Sequence, residues 1–178
     1  MKIMKTIFND AYLLKPDIFP DDRGFFYEAY NSKNFNDLIG DNILFVQDNH
    51  SYTKRSVCRG LHYQKEPYEQ DKLVRVLTGE IYDVIVDLRN TSNTFGQWHG
   101  EYLSSQNNNQ LWVPKGFAHG FVVTSNEAIV LYKTTEYYSP EYERTIKYDD
   151  PDLNIEWPIK IVTVSKKDLE GQNIKDIL

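Results

Sequence analysis

Four short stretches hold most of the side chains able to do acid–base or electrostatic chemistry. RGLHYQ (Arg59–Gln64) sets the Arg59 guanidinium near the His62 imidazole, and Lys72 opens the run KLVRV. PKGFAHGF (Pro114–Phe121) carries His119, and VLYKTTEYY (Val130–Tyr138) carries Tyr132 and Tyr138. An imidazole with a pKa of about 6.5 accepts a proton at neutral pH, whereas a phenol of about 10 starts protonated and can donate one. A fixed ammonium stabilises an oxyanion as its charge develops. These types together suit removal of a proton from carbon and its return. Singly, each has an ordinary reading: a lone histidine is most often structural, Lys72 a solvated charge, and Tyr132, beside Val130 and Leu131, a core residue.

Such groups must be held by β structure. The chain has 14% aromatic residues, with 13 Tyr and 9 Phe, a bias toward strands. In KLVRVLTGEIYDVIVDLR (Lys72–Arg89), Lys72, Val74 and Val76 share one parity and Gly79-Glu80 turns the chain. Tyr82, Val84, Val86 and Leu88 then share one face at period two, the pattern of a β-hairpin. Shorter β-rich runs fall at Ile43–Asp48, Gln110–Val113, Gly120–Thr124 and Ala128–Thr135, separated by turn-forming clusters such as SSQNNNQ (Ser104–Gln110). Helical signal is confined to a segment capped by Ser32, running through Leu38 to Gly40, and one turn at Lys166–Glu170. Many short strands with few helices predict an all-β sandwich or barrel. Without repeats or linkers, residues 1–178 read as a single domain.

The net charge of −6 argues against non-specific nucleic-acid binding, and no apolar run reaches the roughly 20 residues of a membrane span. The first ten residues, MKIMKTIFND, lack a secretory apolar core. One cysteine, Cys58, leaves no disulfide framework, and these features fit a cytoplasmic compartment.

PKGFAHGF, with Pro114, Gly116 and His119 in P-x-G-x-x-H spacing, resembles the second conserved stretch of the cupins. That resemblance implies a double-stranded β-helix, or jelly-roll barrel. Cupins often bind a metal through an H-x-H pair and the histidine of the second stretch. Here the first stretch reads His62-Tyr63-Gln64, while His50 and His99 sit in polar, loop-like sequence without ligand spacing. No metal site is expected.

The resemblance then narrows. DDRGFFYEAYN (Asp21–Asn31), VQDNHS (Val46–Ser51), RGLHYQ, KLVRVLTGEIYDVIVDLR and TFGQWHG (Thr94–Gly100) are followed by LWVPKGFAHGF and YKTTEYYSPEYE (Tyr132–Glu143). DDPDLNIEWP (Asp149–Pro158) and SKKD (Ser165–Asp168) complete the set. In this order and spacing they resemble the dTDP-4-dehydrorhamnose 3,5-epimerases.

That resemblance implies inversion of the two carbons flanking the ketone of a dTDP-4-keto-6-deoxyhexose, with no redox cofactor or metal. It assigns His62 as base, Asp168 as its partner, Tyr132 as acid on the opposite face, and Lys72 to the C4 oxygen. Arg23 and Arg59 match diphosphate contacts, a role that suits guanidinium forks. Glu28, Gln47, Asp48, Asn49, Glu143 and Lys167 match further polar contacts, His119 a contact to the sugar or its ketone, and Tyr138 the ring that stacks on thymine. A homodimer is implied, with the segment bearing Arg23 and Glu28 reaching the neighbour's site. Departures are Cys58 for a frequent leucine, Asp71 for a glycine and Tyr148 for a tryptophan; Asp71 puts a negative charge beside Lys72. A relative acting on one carbon, or on another nucleotide-linked keto-sugar, would keep His62 and Tyr132. Gln64 in place of a second histidine speaks against a metal-dependent cupin, and a mere binder has no need of an acid–base pair.

Overall fold

The computed structural model describes residues 1–40 and 42–177. In chain order its strands are β1 (Lys2–Ile7), β2 (Ala11–Lys15), β3 (Phe19–Asp21), β4 (Gly24–Phe26), β5 (Gln47–Lys54), β6 (Cys58–Gln64) and β7 (Lys72–Thr78). They continue with β8 (Glu80–Asp87), β9 (Trp98–Ser104), β10 (Gln110–Val113), β11 (Phe117–Val123), β12 (Glu127–Thr134) and β13 (Glu143–Thr145). Helix α1 (Ser32–Ile39) follows β4, and α2 (Lys166–Leu169) follows β13. Among the described residues no helix is long and apolar enough to cross a membrane.

The fold is a cupin-type jelly roll. A six-stranded sheet in the order β1-β2-β10-β7-β12-β5 faces a five-stranded sheet in the order β13-β6-β11-β8-β9. Strand parity decides what fills the space between them. Val74, Val76, Leu111, Ala128 and Val130 from the first sheet pack against Ile81, Ile85, Phe117, Phe121 and Val123 from the second. The other face of the second sheet, including Leu61, Val84, Val86 and Ala118, is covered by Leu153 and Ile174 of the C-terminal segment. Helix α1 lays Phe35 over Leu14, Leu73 and Trp112 on the outside of the first sheet.

The parity expected for Lys72–Arg89 holds, but the hairpin does not. β7 pairs with β10 and β12, whereas β8 pairs with β11 and β9, so the chain crosses from one sheet to the other at Gly79. Gly79 has φ +78°, and a Cβ there would lie 2.0 Å from the Glu127 carbonyl oxygen, so the crossing requires glycine. Both strands are apolar on their inward faces, and those faces meet across the core instead of lying side by side.

Other boundaries shift. The run Ile43–Asp48 becomes strand only from Gln47; Ile43 instead packs beside Phe35. β11 starts at Phe117, before Gly120, and β12 spans Glu127–Thr134. Asn31, not Ser32, caps α1, accepting from the Asn34 N–H, and Gly40 closes the helix in the left-handed region at φ +80°. His50 and His99 lie on strands β5 and β9, not in loops. Phe19, Phe25 and Phe26 of the small β3–β4 ribbon are exposed.

Candidate active site

The inward row of side chains is apolar through most of the barrel and turns polar where β5, β6 and β13 join it. A pocket of about 260 Å³ opens there, lined by Gln47, Asn49, Arg59, His62, Lys72, His119, Tyr132, Tyr138 and Glu143. His62 and His119 are partners across the β6–β11 ladder, while Tyr132 and Lys72 come from the opposite sheet. The imidazoles and the phenol therefore belong to facing walls.

Close approach of β6 and β11 sets the two histidines side by side. A Cβ on Gly60 would lie 2.6 Å from the Gly120 Cα, and one on Gly120 would lie 2.6 Å from the Arg59 carbonyl oxygen. Glycine on both strands is what permits this spacing.

His62 Nε2 lies 2.6 Å from Asp168 Oδ1, and the Gly60 N–H donates to Asp168 Oδ2 at 3.2 Å. A carboxylate accepts, so the Nε2 proton faces Asp168 and Nδ1 carries the lone pair. Burial alone would raise the Asp168 pKa; the hydrogen bond and charge of His62, with the Gly60 N–H, outweigh it and hold the carboxyl below its usual range. Asp168 sits on α2, whose N-terminus is capped by Ser165.

His119 has a carboxylate of its own: Nε2 is 2.9 Å from both oxygens of Asp83, which is fully buried. Lys72 Nζ donates to the His62 carbonyl at 3.2 Å. Its burial lowers the ammonium pKa to about 8, against the opposing charges of Asp83 and Glu143. Burial also raises the Tyr132 pKa, with Arg59 lowering and Glu143 raising it further. Arg59 is fixed by Nε donating to Thr53 Oγ1 at 2.8 Å. Tyr138 donates its phenol to Glu143 at 2.7 Å, and Lys167 forms an ion pair with the same carboxylate.

Three of the expected contacts stand apart from this pocket. The Arg23 side chain is 90% exposed and bonded to Asp21 on the β3–β4 ribbon, and Glu28 accepts from Asn31 and Asn34. Asp48 points to the outer face of β5, where Lys133 donates to it at 2.8 Å, because its strand neighbours Gln47 and Asn49 point inward. Asp71 turns from the site as well: its carboxylate accepts from the Lys115 N–H and the Thr135 hydroxyl. Burial pushes the Cys58 thiol up to about 12, so it stays protonated at neutral pH.

Sequence reasoning missed Asp83 and Ser51. Asp83 shares its strand face with Ile81 and Ile85, and an acid within an apolar face is a signal of a paired buried charge. Ser51 shares parity with Gln47 and Asn49 and lines the pocket. Among the described residues, no group of three or more His, Cys, Asp or Glu side chains converges as a metal site.

This fold and this pocket define a jelly-roll protein whose interior gathers two imidazoles, an ammonium and a phenol around one cavity. Residues 5–176 match the sequence profile of the dTDP-4-dehydrorhamnose 3,5-epimerases. The chain is 50% identical to the dTDP-4-dehydrorhamnose 3,5-epimerase of Shigella flexneri, over 99% of this chain and 97% of that one. Its structure superposes with a TM-score of 0.95 on the dTDP-6-deoxy-D-glucose-3,5-epimerase of Legionella pneumophila, solved with dTDP-4-keto-L-rhamnose; identity is 46%, covering 99% and 96% of the two chains. With the Bacillus anthracis enzyme, solved with TDP and pyrophosphate, the TM-score is 0.94 at 48% identity, covering 97% and 98%. The chain belongs to the dTDP-4-dehydrorhamnose 3,5-epimerase family, and it is an isomerase.

Proposed function

We propose that this protein inverts C3 and C5 of dTDP-4-keto-6-deoxy-D-glucose, giving dTDP-4-keto-L-rhamnose without a redox cofactor, as a single-domain cytoplasmic homodimer. The observation that carries the reading is the placement of His62, backed by Asp168, and Tyr132 on facing walls of one pocket.

His62 Nδ1 takes the proton from the carbon next to the ketone. The bonding pair moves toward C4, and the resulting enolate oxygen is stabilised by the Lys72 ammonium. Tyr132 then delivers its phenolic proton to the opposite face, and the bond re-forms with inverted configuration. Solvent returns a proton to Tyr132 and takes one from His62, after which the second carbon follows the same course. The raised pKa of Tyr132 keeps it protonated until it is needed. Asp168 holds the working tautomer of His62 and stabilises the imidazolium.

His119, oriented by Asp83, contacts the sugar or its ketone. Arg59 takes the diphosphate; Gln47, Asn49, Glu143 and Lys167 make polar contacts; Tyr138 stacks on thymine. Arg23 and Glu28 lie apart from their own chain's pocket, which fits a homodimer in which they serve the partner's site.

The test is incubation with dTDP-4-keto-6-deoxy-D-glucose in D₂O, following C3 and C5 by NMR. Deuterium at both carbons, lost in His62→Ala, supports the reading; deuterium at C3 alone makes the protein a single-carbon epimerase. Absence of exchange in folded protein that still binds dTDP rules out this substrate.

A further inference from the structure

Gln64 lies two residues beyond His62 on the same face of β6 and is 5% exposed. Its amide makes three hydrogen bonds, all to loop backbone. Nε2 donates to the Tyr68 carbonyl at 2.6 Å and to the Tyr137 carbonyl at 3.2 Å, and Oε1 accepts from the Ser139 N–H at 2.7 Å. The Tyr137 carbonyl and the Ser139 N–H are the backbone groups on either side of Tyr138.

Tyr138 makes two bonds of its own, one from the ring and one from the backbone. It sits between β12 and β13 in chain without strand or helix, the residue is 52% exposed, and its phenol reaches Glu143, the ladder partner of Gln64. Its own N–H donates to Gln47 Oε1 at 3.0 Å. An exposed ring on a free loop gives up conformational freedom when a base stacks on it, and ordering the loop beforehand removes that cost.

We propose that Gln64 is a positioning residue for nucleotide binding: one buried amide grips the backbone on both sides of Tyr138 and presets its ring to receive the base. This rests on the reading of Tyr138 as the base-stacking residue. A carboxylate cannot replace the amide, because two of its three bonds go to carbonyl oxygens and need N–H donors.

The experiment is a double-mutant cycle read by calorimetric titration with dTDP. It uses the wild type, Gln64→Met, Tyr138→Ala and the double variant, each checked for fold by circular dichroism. Methionine keeps the length and approximate volume of glutamine without its hydrogen bonds. Tyr138→Ala is expected to weaken dTDP binding roughly ten-fold, and Gln64→Met roughly five-fold. Adding Gln64→Met to Tyr138→Ala is expected to weaken it no further, because the ring that Gln64 presets is already gone. With the keto-sugar, Gln64→Met raises KM more than it lowers kcat.

Additive losses in the double variant overturn the proposal, since a residue that only stiffens the fold would produce them. Unchanged affinity in Gln64→Met, with Tyr138→Ala weakened, overturns the proposal alone. Unchanged affinity in Tyr138→Ala removes the stacking reading and the proposal with it. Should Gln64→Met fail to fold, the same cycle is run with Gln64→Glu, which keeps the acceptor for Ser139 but sets an oxygen against the Tyr68 and Tyr137 carbonyls.

Discussion

Two histidine–carboxylate pairs stand on neighbouring strands of this pocket, in different surroundings. The His62 side chain is 31% exposed, and its partner Asp168 comes from a helix 106 positions later. His119 and Asp83 are both buried, and Asp83 comes from β8, the strand beside His119. A pair that must gain and lose protons needs an edge open to ligand and solvent. A pair that only presents a fixed hydrogen bond is better closed off, where a low local dielectric strengthens it. The same two residue types thus meet different surroundings: the His62 side chain is 31% exposed and that of His119 8%.

Replacing the imidazoles tests that division most severely. His62→Ala should lower deuterium exchange at both carbons by about 1,000-fold or more, whereas His119→Ala should lower it by about 10- to 100-fold, mostly through KM. Equal losses in kcat would erase the distinction. On the facing wall, Tyr132→Phe should cost about 100-fold in net inversion while washout of the substrate proton by His62 persists, read by NMR in D₂O.

The carboxylates sharpen the comparison. Asp168→Asn should lower kcat about 100-fold, because the amide favours the wrong tautomer of His62. Asp83→Asn should lower kcat less than about ten-fold. Its larger mark should be on the urea midpoint, since it disturbs a fully buried pair, with a loss of about 1–3 kcal/mol.

A pH effect belongs to the wall that carries Lys72 and Tyr132. With the Lys72 pKa depressed to about 8, the ammonium is present below that pH and lost above it. Turnover should therefore fall by about ten-fold per pH unit beyond about 8. Tyr132, its pKa raised by burial, titrates higher and does not set this limb. Stability should move the other way: between about 8 and the ordinary 10.5 the unfolded chain binds more protons, so the folded state gains as pH rises. Lys72→Met should abolish both trends, in pH–rate profiles and in urea midpoints.

Much of this was legible in the sequence because strand parity and motif spacing are local. The period-two pattern of Lys72–Arg89 marks two strands correctly. It does not name their partners: the same alternation serves a hairpin and a crossing between sheets, and the pairing of β7 with β10 and β12 and of β8 with β11 and β9 distinguishes them. Parity also bears on the trio Gln47, Asp48 and Asn49, since consecutive strand residues cannot all face one pocket. Asp83 escaped because a charge inside an apolar strand names no partner until β11 lies beside it. Arg23 and Glu28 look like site residues in the sequence yet sit outside the pocket of their own chain.

The reach of the His62–Asp168 contact also orders events in time. Every wall of the pocket is encoded by Thr145, where β13 ends, and α2 with Asp168 follows only after a further stretch of mostly irregular chain. On the ribosome, the cradle is thus written out before the carboxylate that bonds His62. A chain stalled or clipped between those points lacks Asp168 while keeping the residues that line the cradle. Such a fragment also lacks Ile174, which helps cover the outer face of the second sheet, so one late stretch completes both the barrel's packing and the carboxylate contact of His62.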